Sequence, residues 1–180
     1  AQGVAVVYPY AADGEANEID LYVEAIPADS MDEKGTPSSE LLDDVEAVVE
    51  LNPDTTLPIL ERGRRPLGVW QVNYLPITIV NVDIVITGFQ GLTDDIKAQL
   101  LSAIVTAINL IRPFVASADV LENKNNIIDT NKIIGLIITA HPGAIFTSVT
   151  ININDAPLST YTFLLGNIPY INPVTGVSYV

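Results

Sequence analysis

Cysteine is absent, histidine occurs once, and 8 basic side chains stand against 22 acidic ones in a chain of 180 residues. Without cysteine there is no disulfide framework, no thiolate nucleophile and no cysteine-ligated zinc, although the redox compartment stays open. With His141 alone, a multi-histidine metal site is excluded. No apolar run approaches the roughly 18 residues of a membrane span. The densest, IIGLIITA at 133–140, is far too short, so membrane insertion is not expected. The opening AQGVAVVYPY has no methionine, no basic stretch and no long apolar stretch, which reads as neither a signal peptide nor a natural start and suggests a fragment of something longer.

The scarcity of positive charge is uneven. Residues 1–61 hold 15 acids and the single base Lys34, whereas 7 acids balance 7 bases in residues 62–180. Such a field repels phosphate and discourages non-specific self-association, so nucleic acid is not an expected partner. What is present in quantity is apolar: 48% of residues, with a mean hydropathy of +0.35 and only 17% charged. That suffices for a core and suggests that partners cover some apolar surface.

Along the chain, VAVVYP at 4–9 and EIDLYVEA at 18–25 are β-rich runs around the turn-forming Ala11-Ala12-Asp13-Gly14, predicting a hairpin. After a breaker-rich segment, Thr36-Pro37 supplies a cap with proline at the first helical position. Leu41, Leu42, Val45, Val48 and Val49 then recur at helical spacing until Asn52-Pro53, giving one buried face and one strongly acidic face. Alternating Val80, Val82, Ile84 and Ile86 predict a half-buried strand over 78–87, and Pro76 divides it from a preceding strand. Thr93-Asp94-Asp95 caps a helix whose stripe is Ile96, Leu100, Ile104, Ile108 and Ile111, with Arg112-Pro113 at its end. Residues 116–128 read as a polar loop. Asp129 or Thr130 caps a shorter helix to about Ala140, ended by His141-Pro142-Gly143. In the following strand Ile145, Val149, Ile151 and Ile153 share one phase, with STYTFLL at 159–165 as its antiparallel return. The expectation is an α+β chain of two small domains, residues 1–76 (ββαβ) and 77–180 (βααββ), with mainly antiparallel or mixed sheets and helices on one face.

The succession of GVAVVYP, a second strand, SSELLDDVEAVVE, RRPLG and a valine-rich strand resembles the baseplate J-like family of contractile phage tails and related injection machines. The order continues through DDIKAQLLSAIVTAINLIRPF, DTNKIIGLIITAHPGA, the paired strands and a closing LLGNIPYI, so the resemblance covers nearly the whole chain. Two departures stand out. The Asn-rich ENKNNIID at 122–129 replaces a glycine common in the family, and the family's upstream region is missing here. The resemblance implies a structural subunit rather than an enzyme, without cofactor. It would assemble in the bacterial cytoplasm into a virion baseplate, prophage particle or injection particle, through contacts with other baseplate or tail subunits and copies of itself.

The most distinctive stretch is ERGRRPLGVW at 61–70. Pro66 fixes its own φ, lacks an N–H and biases Arg65 towards extended geometry, so a strand is expected to start there. Arg62, Arg64, Arg65 and Pro66 are the interface candidates. The plain alternative pairs the arginines internally with Asp43, Asp44, Glu46 and Glu50; the sharper one sends one or two guanidinium forks to a neighbour's carboxylates. DNA contact is the weakest, against so negative a field.

Other chemistry is poorly supported. His141 before Pro142-Gly143 suits a helix C-cap. Asp13, Glu15, Glu18 and Asp20, and likewise Asp29, Asp32 and Glu33, lack EF-hand spacing and read as solvated loop acids. Paired carboxylates for glycoside hydrolysis are accidental in so acidic a chain. TGFQGL at 87–92 lacks the Lys-Ser/Thr of a phosphate loop and reads as a strand-to-helix turn. Trp70 with Tyr74 reads as core; as a sugar platform with the C-terminal tyrosines, it would make the chain a carbohydrate-binding or adhesion module.

Overall fold

The computed structural model describes residues 1–13, 15–52, 54–65, 68–116 and 118–180. The chain is α+β, with three α-helices and ten strands in mixed sheets among the described residues. It divides into two compact units, residues 1–78 with 115–120, and residues 79–114 with 121–180.

In the first unit, β1 (Val4–Ala11) and β2 (Glu18–Ala25) form the antiparallel hairpin, and β3 (Gln71–Pro76) lies parallel to β2, which makes β2 the central strand. Central placement buries Val23, Glu24 and Ala25 in succession. α1 (Ser39–Glu50) is capped by Ser38, whose Oγ accepts from the Leu41 N–H, and not by Thr36. The reason lies upstream. Asp32 takes the Lys34 and Thr36 N–H groups on Oδ1 and the Thr36 hydroxyl on Oδ2, holding Thr36 in the loop. Only Leu41 and Val45 of the α1 stripe are buried; Val48 and Val49 are exposed.

The second unit is built on β4 (Thr78–Thr87), whose first residue falls in the first unit. Val80, Val82, Ile84 and Ile86 are all buried, the phase read from the sequence. Against them pack α2 (Asp94–Asn109) and α3 (Thr130–Ala140), through Leu100, Ile104, Ile108, Ile133 and Ile137. Thr93 and Asp129 are the caps, accepting from the Ile96 and Lys132 N–H groups. Gly88 and Gly91, at φ +67° and +68°, make the turn between β4 and α2. Arg112 folds back to donate to the Asn109 carbonyl at the end of α2 and to the Ile111 carbonyl just beyond it.

The order of the remaining strands differs from the sequence expectation. β5 (Ile127–Asp129), β6 (Ser148–Ile153), β7 (Ala156–Leu158), β8 (Thr160–Thr162), β9 (Asn167–Tyr170) and β10 (Val177–Tyr179) follow, so the unit runs βαβαβββββ rather than βααββ. β6 pairs antiparallel with β4, and its return partner is β7. Residues 159–165 do not fill that role: β8 pairs with β5. Asn154 and Asp155, at φ 48° and 66°, close a two-residue turn and bring the chain back at once, with Ile153 opposite Ala156. Ile145 lies before β6 and is exposed, so the buried phase begins at Val149.

The Asn-rich segment has its own work. Asn125 donates to the Leu110 carbonyl and accepts from Lys132, while Asn126 exchanges hydrogen bonds with the backbone of Phe163. Finally β10 lies parallel to β4, led in by a turn in which Gly176 donates to the Asn172 carbonyl. A Cβ on Gly176 would stand 2.6 Å from that carbonyl oxygen and closer still to Ile171. Gly176→Ala is therefore expected to cost about 1–3 kcal/mol by overpacking. Urea unfolding of the variant checks this; an unchanged midpoint would show that the turn yields.

Candidate functional site

The arginine segment is anchored to the end of α1. Beyond Glu50 the chain turns extended at Leu51, and residues 50–52 meet 62–64 in a short antiparallel bridge. The Asn52 N–H donates to Arg62 O at 2.6 Å and the Arg64 N–H to Glu50 O at 2.9 Å, with Leu51 opposite Gly63. This closes a loop. Within it Asp54 accepts from the backbone and hydroxyl of Thr56, and a 3-10 turn covers Ile59–Glu61.

The bridge gives each arginine a different task. Arg62 sends Nε to the Asn52 carbonyl at 2.6 Å. Arg65 grips Glu50 with two nitrogens, Nε to Oε2 at 3.0 Å and Nη2 to Oε1 at 2.7 Å, and also donates to the Trp70 carbonyl. The Tyr74 hydroxyl donates to the same Glu50 Oε1 at 2.9 Å. Internal pairing thus holds for Arg65, with one acid of the α1 face. Arg64 is exposed, and among the described residues its side chain has no hydrogen-bonding or ionic partner. Pro66 lies outside the described residues. Among the described residues β3 begins at Gln71, because its pairing partner β2 begins only at Glu18 and the Trp70 N–H meets the Asn17 carbonyl just before it.

The Arg65 hydrogen bonds hold the Glu50 carboxyl below its ordinary 4.5, against the opposing effect of burial. Burial, assisted by the bond to Glu50, pushes the Tyr74 hydroxyl well above its usual range. A depressed carboxyl contributes stability that is present above its ordinary value and lost as pH falls through the lowered one. The Tm of the chain should therefore fall on acidification below that value, and fall less steeply in Glu50→Gln. Some slope should survive, since the Thr36 and Lys34 contacts also hold the Asp32 carboxyl down, despite opposing desolvation. Identical slopes in the two proteins would show that Glu50 carries no such contribution.

Trp70 is not core. It is 78% exposed, because it precedes β3 and the sheet gives it no face to pack on. Ile59 and Leu60, at the end of the closed loop, are 68% and 94% exposed. His141 ends α3 with its N–H on the Ile137 carbonyl, and its ring lies 6.1 Å from that of Phe89. Among the described residues no three His, Asp or Glu side chains gather as a metal site, and no helix is long and apolar enough to cross a membrane. One feature escaped the sequence: Glu24 is buried and accepts from the buried Tyr8 hydroxyl at 2.6 Å. Only the hairpin register, which sets Tyr8 beside Tyr22 and Val6 beside Glu24, brings the two together. The chain matches no protein-family model and no curated protein.

Proposed function

We propose that the chain is a structural subunit of a phage-type or contractile injection-system baseplate, acting by protein–protein assembly and not by catalysis. The resemblance of its ordered motifs to the baseplate J-like family supplies the particle. The observation that carries the mode of action is the exposure of Ile59, Leu60, Arg64 and Trp70, the first three of them close in sequence to the 50–52/62–64 bridge. Tryptophan and arginine are enriched at interface hot spots, and exposed aliphatic side chains beside them favour burial against a partner. The neighbour would be another baseplate or tail subunit, or a further copy of the chain. Nucleic acid is disfavoured by the acid excess of the first 61 residues. Density-gradient sedimentation of lysate from cells carrying the full gene cluster tests this: the chain should travel with megadalton particles. Recovery only at the position of the free protein would contradict it.

The exposure of Trp70 favours a second reading, a carbohydrate-binding or adhesion module stacking a sugar on the indole. Tyr74 contributes little there, since its hydroxyl is committed to Glu50. Glycan-array binding lost in Trp70→Ala would select this reading; an empty array would dismiss it.

A further inference from the structure

We infer that the groove between α1 and the free edge of β3 receives an extended, lysine- or arginine-bearing segment of a partner chain, which adds to the sheet as a strand beside β3. This inference holds whichever particle the chain serves.

The groove has a volume of about 410 Å³ and is lined by Ser39, Leu42, Asp43 and Glu46 of α1 and by Val72 to Leu75 of β3. Four consecutive strand residues line it, although successive side chains point to opposite faces. A groove touching both phases therefore runs along the backbone edge rather than over one face. That edge is open: β3 ends the order β1-β2-β3, and among the described residues no strand pairs with its outer side. Just beyond β3 the Ile77 N–H meets the Val23 carbonyl of β2. By alternation Leu75 and Asn73 turn their backbone polar groups to β2, and Val72 and Tyr74 present theirs to the groove. An unpaired edge of this kind is a template for another extended chain.

Charge selects the occupant. Asp43, Glu46 and Glu50 recur at spacings of three and four, which places them along one side of α1. Glu50 is matched by the fork of Arg65, carried on this chain's own extended segment. Asp43 and Glu46 are exposed and make no hydrogen bond or close ion pair among the described residues, although the Arg65 charge reaches Glu46 from its seat on Glu50. The same side of the helix thus holds one carboxylate gripped by an arginine fork and two that no side chain grips. Leu42 and Val72 supply apolar floor between them. A second copy fits poorly as an added strand: its first 61 residues offer only Lys34, its Arg62 and Arg65 are already engaged, and its exposed Arg64 sits on backbone already paired with residues 50–52.

Selection of the full chain against a displayed library of random nonapeptides tests this. Peptides with Lys or Arg at alternate positions and β-branched residues between them should be enriched. The best of them should bind Asp43→Lys/Glu46→Lys at least about tenfold more weakly than the unaltered chain. Both positions are exposed, so the variant's melting should be unchanged. N-methylation of alternate amides in the selected peptide should abolish binding, since strand addition needs those N–H groups. Failure to enrich basic peptides, binding undiminished by the reversal, or equal binding of the N-methylated peptide would each overturn the inference. Self-association of the chain that disappears with the same reversal would overturn it in favour of a second copy. None of these outcomes touches particle sedimentation, so the inference and the baseplate reading fail separately.

Discussion

Arg64→Glu should melt like the unaltered chain and yet lose its place in the particle, with incorporation reduced at least about tenfold. Arg64 is exposed and has no described partner, so reversing its charge removes no internal contact. At an interface it sets like charge against a neighbour's carboxylates. Arg65→Glu should behave differently. It breaks the fork on Glu50 and sets a third carboxylate beside Glu50 and Glu46, so the isolated chain should melt lower. Arg65→Lys should recover part of the loss, because an ammonium replaces the charge without the bidentate geometry. Thermal melting and gradient sedimentation of the three variants check this together. Equal melting of Arg64→Glu and Arg65→Glu would contradict the division of labour.

Phe163→Ala is expected to destabilise the second unit by about 3–5 kcal/mol, the largest single-residue effect in the chain. Phe163 is fully buried, its ring meets Tyr161 edge-on at 4.8 Å, and its backbone is tied to Asn126. Removing the ring leaves a cavity among the isoleucines of β4, α2 and α3. The only tryptophan, Trp70, belongs to the first unit and will not report this loss. Amide exchange at Ile84 and Ile151 in β4 and β6 will. Protection there unchanged by the substitution would show that the core does not depend on the ring.

What the sequence disclosed follows from how locally each feature is determined. The phase of Val80, Val82, Ile84 and Ile86, the caps at Thr93 and Asp129 and the α2 stripe depend on side chains within one element, and they stand as read. Choices between competing partners were not legible. Thr36 and Ser38 are both good caps, and Asp32 decides between them by holding Thr36. Residues 159–165 have strand character, yet the turn at Asn154-Asp155 gives β6 an earlier partner and releases β8 to β5.

At the site, the acid face of α1 and the arginines were visible, and their mutual attraction was one of two readings. Which arginine turns inward was set by the 50–52/62–64 bridge, a pairing of irregular segments with no hydrophobic period to announce it. Trp70 was misplaced in the core because strand character was extended back to Pro66, five residues before β3 begins.

The central claim is that the chain works by occupying a place in a baseplate. Gold-labelled antibody against the chain, imaged by electron microscopy on purified particles, tests this most directly. The account predicts label at one end of a contractile tail, and tails lacking that structure when the gene is deleted. Unlabelled particles, complete and contractile in the deletion strain, would contradict it.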